Sequence, residues 1–144
     1  MSTAHAVDRR ERFSSLLMTK LLFIAFGGAC GSVLRYGCAG WVQRSAGGLF
    51  PIGTMAVNVV GCLCIGFFGL ALSEHVLMRE EHRLAIIVGL FGGFTTFSTF
   101  GWETFLLIND GQWFRAGANV VVSNVLGLGA VWLGYRLAER YYGG

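Results

Sequence analysis

Apolar residues fill this chain in four long runs separated by short polar segments. Met1 to Thr19 is polar and carries Arg9, Arg10 and Arg12. Leu21 to Leu34 is apolar, Arg35 ends its charge-free part, and the apolar character resumes in Tyr36-Gly37-Cys38-Ala39-Gly40-Trp41. Ser45 to Ser73 carries no charge; Gly47-Gly48 and Pro51 mark a turn inside it, so a second helix is predicted from about Pro51 to Ser73. Glu74 to Arg83 reads as a short charged loop. A charge-free run from Leu84 to Trp102 follows, with Glu103 toward its far end, and Asn109-Asp110-Gly111 marks a turn within Ile108 to Gln112. The fourth helix is predicted from about Trp113 to Tyr135, with Arg115, Asn119, Ser123 and Asn124 as its polar points and Arg136 to Gly144 as a short tail. Runs of about 20 apolar residues cross the hydrocarbon core of a bilayer as helices. The pattern therefore predicts an all-α membrane protein with four transmembrane helices. Residues 1–20 form a polar extension and residues 21–144 the membrane domain.

The third run departs from a simple span at Gly92-Gly93-Phe94-Thr95-Thr96-Phe97-Ser98-Thr99-Phe100. Two adjacent glycines and four hydroxyls lie there at the depth where polar groups cost most. Non-helical backbone inside a bilayer is tolerated only where protein or a polar cavity satisfies it. The stretch is therefore expected to break the third helix at its centre and to serve as a route or site for an ion. Asn58, deep in the second helix, fits two readings: an amide that glues helices together, or a functional group facing a cavity.

Composition narrows the class further. The 144 residues are 54% hydrophobic and 13% charged, against about 25% charged in soluble domains. Twenty-two glycines with one proline suit closely packed membrane helices, and Gly27 and Gly31 form a GxxxG pair. A net charge of +3 without a basic stripe gives no footing for nucleic acid. Cys30, Cys38, Cys62 and Cys64 lie in apolar stretches and read as unpaired thiols, and His5, His75 and His82 lie outside the runs, so no zinc spacing results. The start has the outline of a secretory signal, but the apolar resumption after Arg35 favours a retained helix. Four spans put both termini on one side. Lys20, Arg79, Arg83, Arg136 and Arg140 lie there with the distal Arg9, Arg10 and Arg12, while Arg44, Arg115 and, by position, Arg35 lie opposite. This count favours cytoplasmic termini.

The nine central residues resemble those of the Fluc (CrcB) family of bacterial fluoride channels. Gly53-Thr54-x-x-Val57-Asn58-x-x-Gly61 and Gly28-x-x-Gly31-x-x-x-Arg35-Tyr36 support the likeness, which covers nearly all of Leu21 to Tyr135. The resemblance implies an antiparallel, dual-topology homodimer in the bacterial inner membrane, with two fluoride pores along the dimer interface. It places Phe97, Phe100 and Asn58 in the pore, and Thr54, Ser98, Thr99, Glu103 and Ser123 on a polar track. It assigns a central structural sodium ion to the backbone carbonyls of Gly92 and Thr95. The positive charge is more asymmetric than free insertion in both orientations would show.

The residues make such chemistry plausible on their own. Amide N–H and hydroxyl groups donate to an anion, and a phenyl ring presents a positive edge, which attracts an anion without trapping it. A broken helix frees carbonyls that suit a hard cation. Rival classes fare worse. A proton-coupled transporter of the small multidrug-resistance type wants a carboxylate deep in a helix, and Glu103 is the sole candidate, near a helix end. A membrane enzyme lacks material, since no histidine lies in a span and no Ser-His or Asp pair is placed for catalysis. A structural subunit would not need the phenylalanine–hydroxyl stretch.

Overall fold

The computed structural model describes residues 3–75 and 77–143, with side chains at 13–73 and 77–143. The side chains of His5, Arg9, Arg10, Arg12, Glu74 and His75 lie outside that description. Helix α1 runs without interruption from Thr3–Ala46, so the polar extension is helical from Thr3 onward and Arg35 sits within the helix, as the resumed apolar run implied. Positive φ angles at Gly47 and Gly48, 67° and 78°, turn the chain, a conformation glycine adopts without a Cβ penalty. Helix α2 covers Ile52–Leu70 and widens into a π-helical turn at Ala71–His75.

The third span is composite. It starts as α3, Glu80–Leu84, opens into π-helical turns over Ala85–Phe91, and closes again as α4, Gly92–Phe94. Thr95 and Thr96 are then extended, with φ/ψ of −92°/158° and −150°/116°. Helix α5 restarts at Phe97–Asn109, and α6 occupies Trp113–Tyr142, so the segment from Arg136 predicted as a tail is helical. Gly111, at φ 72°, turns the chain between them. Four stretches are long and apolar enough to cross a membrane: Phe13–Ala46, Ile52–Ser73, Glu80–Asn109 and Trp113–Tyr142.

Lipid tails are as apolar as leucine, so helices in a bilayer associate through close van der Waals contact and small residues rather than through escape from water. The packing follows that rule. A Cβ on Gly27 would strike the carbonyl of Ala85, and one on Gly31 would strike that of Leu90. These two glycines let α1 lie against the π-helical stretch. Gly66 and Gly134 do the same reciprocally for α2 and α6, each against the other's backbone, at the carbonyls of Val131 and Leu63. Those two pairings are the most extensive in the fold, whereas α5 meets α2 and α6 only sparsely. At one end, Lys20 of α1 and Glu80 of α3 form an ion pair at 2.6 Å, which agrees with the sequence-based placing of Lys20 and the third span's start on one side. All four cysteines are free.

Candidate functional site at the helix break

The break is held open by a side chain from another helix. Asn58 on α2 donates through Nδ2 to the Thr96 carbonyl at 3.0 Å and accepts the Thr96 N–H through Oδ1 at 2.7 Å. One amide side chain thus pairs with both polar groups of one residue, as a neighbouring strand would, and gives the extended backbone the partners it lost on leaving the helix. Thr96 then caps α5: its Oγ1 accepts the N–H of Thr99 at 3.2 Å and donates to Thr99 Oγ1 at 2.9 Å. Threonine at this position satisfies one of the unpaired N–H donors at a helix N-terminus. The Ser98 hydroxyl lies 3.3 Å from Thr96 Oγ1. On the other side of the break, Arg35 of α1 donates from Nε to the Gly93 carbonyl at 3.1 Å. Arg35, counted from the sequence by position on the face opposite the termini, thus bonds to backbone of the third span.

These bonds redirect the donors that ordinarily cover two further carbonyls. The N–H four residues after Gly92 belongs to Thr96 and goes to Asn58; the one four residues after Thr95 belongs to Thr99 and goes to Thr96 Oγ1. The carbonyls of Gly92 and Thr95 are left without their helical donors, as at any helix terminus.

The other site residues divide between two cavities that share Thr96. A cavity of about 330 Å³ is lined by Asn58, Thr95, Thr96, Phe97, Phe100 and Ser123, with Cys62 and Asn124 among the remaining walls. A second, of about 260 Å³, is lined by Arg35, Tyr36, Gln43, Thr54, Thr96, Thr99 and Glu103. The hydroxyls and carboxylate named from sequence as one track therefore lie on two sides of the break, with Ser123 in the first cavity and Thr54, Thr99 and Glu103 in the second. Ser98 and Gly92 line neither. Thr54, only 7% exposed, donates to Glu103 Oε1 at 2.7 Å, and Glu103 Oε2 is buried without a hydrogen-bond partner among the described residues. The Phe97 and Phe100 rings stand 5.5 Å apart, inclined at 44°, and Phe97 is 81% exposed on this single chain.

Sequence reasoning missed a further polar link. Asn119 on α6, 1% exposed, donates to Thr104 of α5 at 2.8 Å and accepts from Ser123 at 3.3 Å. Its visible signal was an amide one turn before Ser123 in a largely apolar helix.

A helical bundle with four membrane-length spans, whose third span opens at mid-length onto amide, hydroxyl and phenyl groups, defines a multi-pass membrane protein built around a polar discontinuity. Residues 22–135 match the family model described as CrcB-like protein, Camphor Resistance (CrcB). The chain belongs to the CrcB (Fluc) family and is not an enzyme. It is 48% identical over 123 residues to a protein named fluoride-specific ion channel FluC from Geobacter sulfurreducens, covering 85% of this chain and 99% of that protein. Proteins of the same name from Solibacter usitatus and Chloroflexus aurantiacus are 46% and 44% identical over 121 and 127 residues. Those matches cover 84% and 88% of this chain, and 99% and 100% of the two relatives.

Proposed function

We propose that this protein is a fluoride-selective channel that lets fluoride leave the cytoplasm passively across the bacterial inner membrane, lowering its toxicity. The observation that carries the reading is the first cavity, where Asn58, Phe97, Phe100 and Ser123 meet at the break of a membrane span. Fluoride surrenders a tightly held hydration shell only to replacement donors. The cavity brings the Asn58 amide and the Ser123 hydroxyl beside the Phe97 and Phe100 rings; amide and hydroxyl hydrogens can turn to replace water donors, and a ring's attraction is weak enough for an anion to leave again. A negative interior drives the anion outward by about 2.3 kcal/mol per 100 mV. Thr54, Ser98, Thr99 and Glu103 continue the polar route beside the break.

The working unit in this reading is an antiparallel, dual-topology homodimer with two pores along its interface. The 81% exposure of Phe97 on one chain supports it, because a ring that guides an ion needs a second wall. A structural sodium ion fits the same break. The carbonyls of Gly92 and Thr95 lack their helical donors, and hard cations bind oxygen; a two-fold axis there would supply the same carbonyls twice. Bound sodium would supply fixed positive charge at the dimer centre. The chain's own part is to hold the carbonyls clear, which Asn58 and Thr96 do by taking the competing N–H groups.

The test is fluoride efflux from liposomes containing the purified protein, with chloride as the control anion. Rapid fluoride loss with chloride retained is expected; equal loss of both, or of neither, removes the reading. Proton-driven export by Glu103 would instead make fluoride movement follow an imposed pH gradient at zero voltage.

A further inference from the structure

We propose that Asn119 is a positioning residue for the fluoride path: through Thr104 it fixes Phe100 of α5 against α6, and through its own carbonyl it directs the Ser123 hydroxyl. The proposal rests on the channel reading above. Asn119 is the largest fully buried side chain among the described residues, and a buried amide is retained only when its polar atoms are engaged. The direction of each bond in its network follows from proton supply. Thr104 Oγ1 sits 2.7 Å from the Phe100 carbonyl, which can only accept, so the single hydroxyl proton of Thr104 goes there. Thr104 can then only accept from Asn119, which must turn Nδ2 toward it at 2.8 Å. That leaves Oδ1 facing Ser123, whose hydroxyl donates to it at 3.3 Å.

Two consequences reach the cavity. The relay ends on the backbone of Phe100, which lines the first cavity, and ties α5 to α6 where the two helices otherwise meet sparsely. The bond to Ser123 is long for an O–H···O contact, about 2.5–3.0 Å being usual. Asn119 therefore holds the Ser123 proton loosely, so that the hydroxyl rests with its proton on α6 and can swing to donate to an anion entering the cavity. Without the amide, Ser123 can turn its proton back to a helix carbonyl, as serines in helices do, and Phe100 loses its tether.

The experiment compares the parent with Asn119→Leu, Thr104→Val and Thr104→Ser as purified dimers in liposomes, reading fluoride efflux. Asn119→Leu and Thr104→Val are each expected to slow efflux about tenfold, whereas Thr104→Ser, which keeps the relay hydroxyl, stays within roughly threefold of the parent. Asn119→Leu is then added to Phe100→Ile. Because its effect passes largely through Phe100, the second substitution should cost less than about threefold there, the non-additivity expected of residues in one network. A role in general stability would instead repeat the full tenfold loss. If Asn119→Leu does not assemble, Thr104→Val against Thr104→Ser decides alone. Parent-like efflux from Thr104→Val, equal loss in Thr104→Val and Thr104→Ser, or full additivity with Phe100→Ile overturns the inference while leaving the channel reading intact. A parent that carries no fluoride removes both.

Discussion

Replacing Asn58 separates the two tasks its amide performs. Asn58→Asp keeps the shape and still accepts the Thr96 N–H, but loses the Nδ2 donor to the Thr96 carbonyl. Asn58→Leu loses both bonds. An unsatisfied buried backbone group costs about 1–3 kcal/mol, so Asp exposes one such cost and Leu two, roughly 2–6 kcal/mol. The Asp variant adds a charge. A carboxylate about 4 Å from a passing anion repels it by about 4 kcal/mol at an effective dielectric constant of 20, enough to slow passage roughly a thousandfold. The two variants should therefore fail for different causes. Thermal unfolding in detergent should show Asn58→Leu as less stable than the parent. Efflux should collapse in Asn58→Asp while it still elutes as a dimer. Near-normal fluoride efflux from folded Asn58→Asp would refute the assignment of Asn58 to the path. Parent-like stability of Asn58→Leu would refute its pairing with Thr96.

Three further outcomes follow from other parts of the fold. Phe97→Ile and Phe100→Ile keep apolar bulk but remove the ring quadrupole, worth about 1–2 kcal/mol, and each should slow fluoride roughly tenfold with chloride still excluded; full efflux in both would mean that the rings only shape the bundle. Exchanging sodium for a large organic cation should weaken dimer assembly, because a ligand bound only by the assembled state shifts that equilibrium; unchanged assembly in sodium-free buffer argues against the site at Gly92 and Thr95. Gly31→Ala sets a methyl against the backbone of Leu90 and Phe94, whereas Gly37→Ala meets nothing within 4 Å; unfolding should show a loss of about 1–3 kcal/mol for the first and little for the second, and equal effects would remove the close-packing role of Gly31.

The four spans were legible because their signal is local: each is a run of apolar residues whose length matches a bilayer. The predicted ends failed where local signal failed. Arg136 begins a charged segment that reads as a tail, yet α6 runs on to Tyr142, since a helix already nucleated extends through charged residues that face water. Gly92 and Gly93 looked like the breakers, but both are helical, and the extended residues are Thr95 and Thr96. Gly93 is instead a packing residue, with no room for a Cβ against the backbone of Gly28. The bonds of Asn58 to Thr96, Arg35 to Gly93 and Asn119 to Thr104 span 38, 58 and 15 positions. No periodicity encodes such partners, so the polar residues could be recognised from the sequence but not paired.

The pairing divides the protein mechanically. Where α1 meets the third span and α2 meets α6, backbones touch through glycines, and such contacts cannot loosen by a rotamer change. Helix α5 is joined differently. It hangs on Thr54 to Glu103, Asn58 to Thr96 and Asn119 to Thr104, with Leu107 as its one buried apolar side chain. Polar ties have defined lengths and directions, so they fix the angular placement of Phe97 and Phe100 more sharply than apolar packing alone would. They also exchange partners at low cost when another polar group arrives, since a hydrogen bond between neutral groups has a net worth of only about 0.5–1.5 kcal/mol. A glycine-packed frame carrying one polar-tethered half-helix puts adjustable bonds where an anion would meet them.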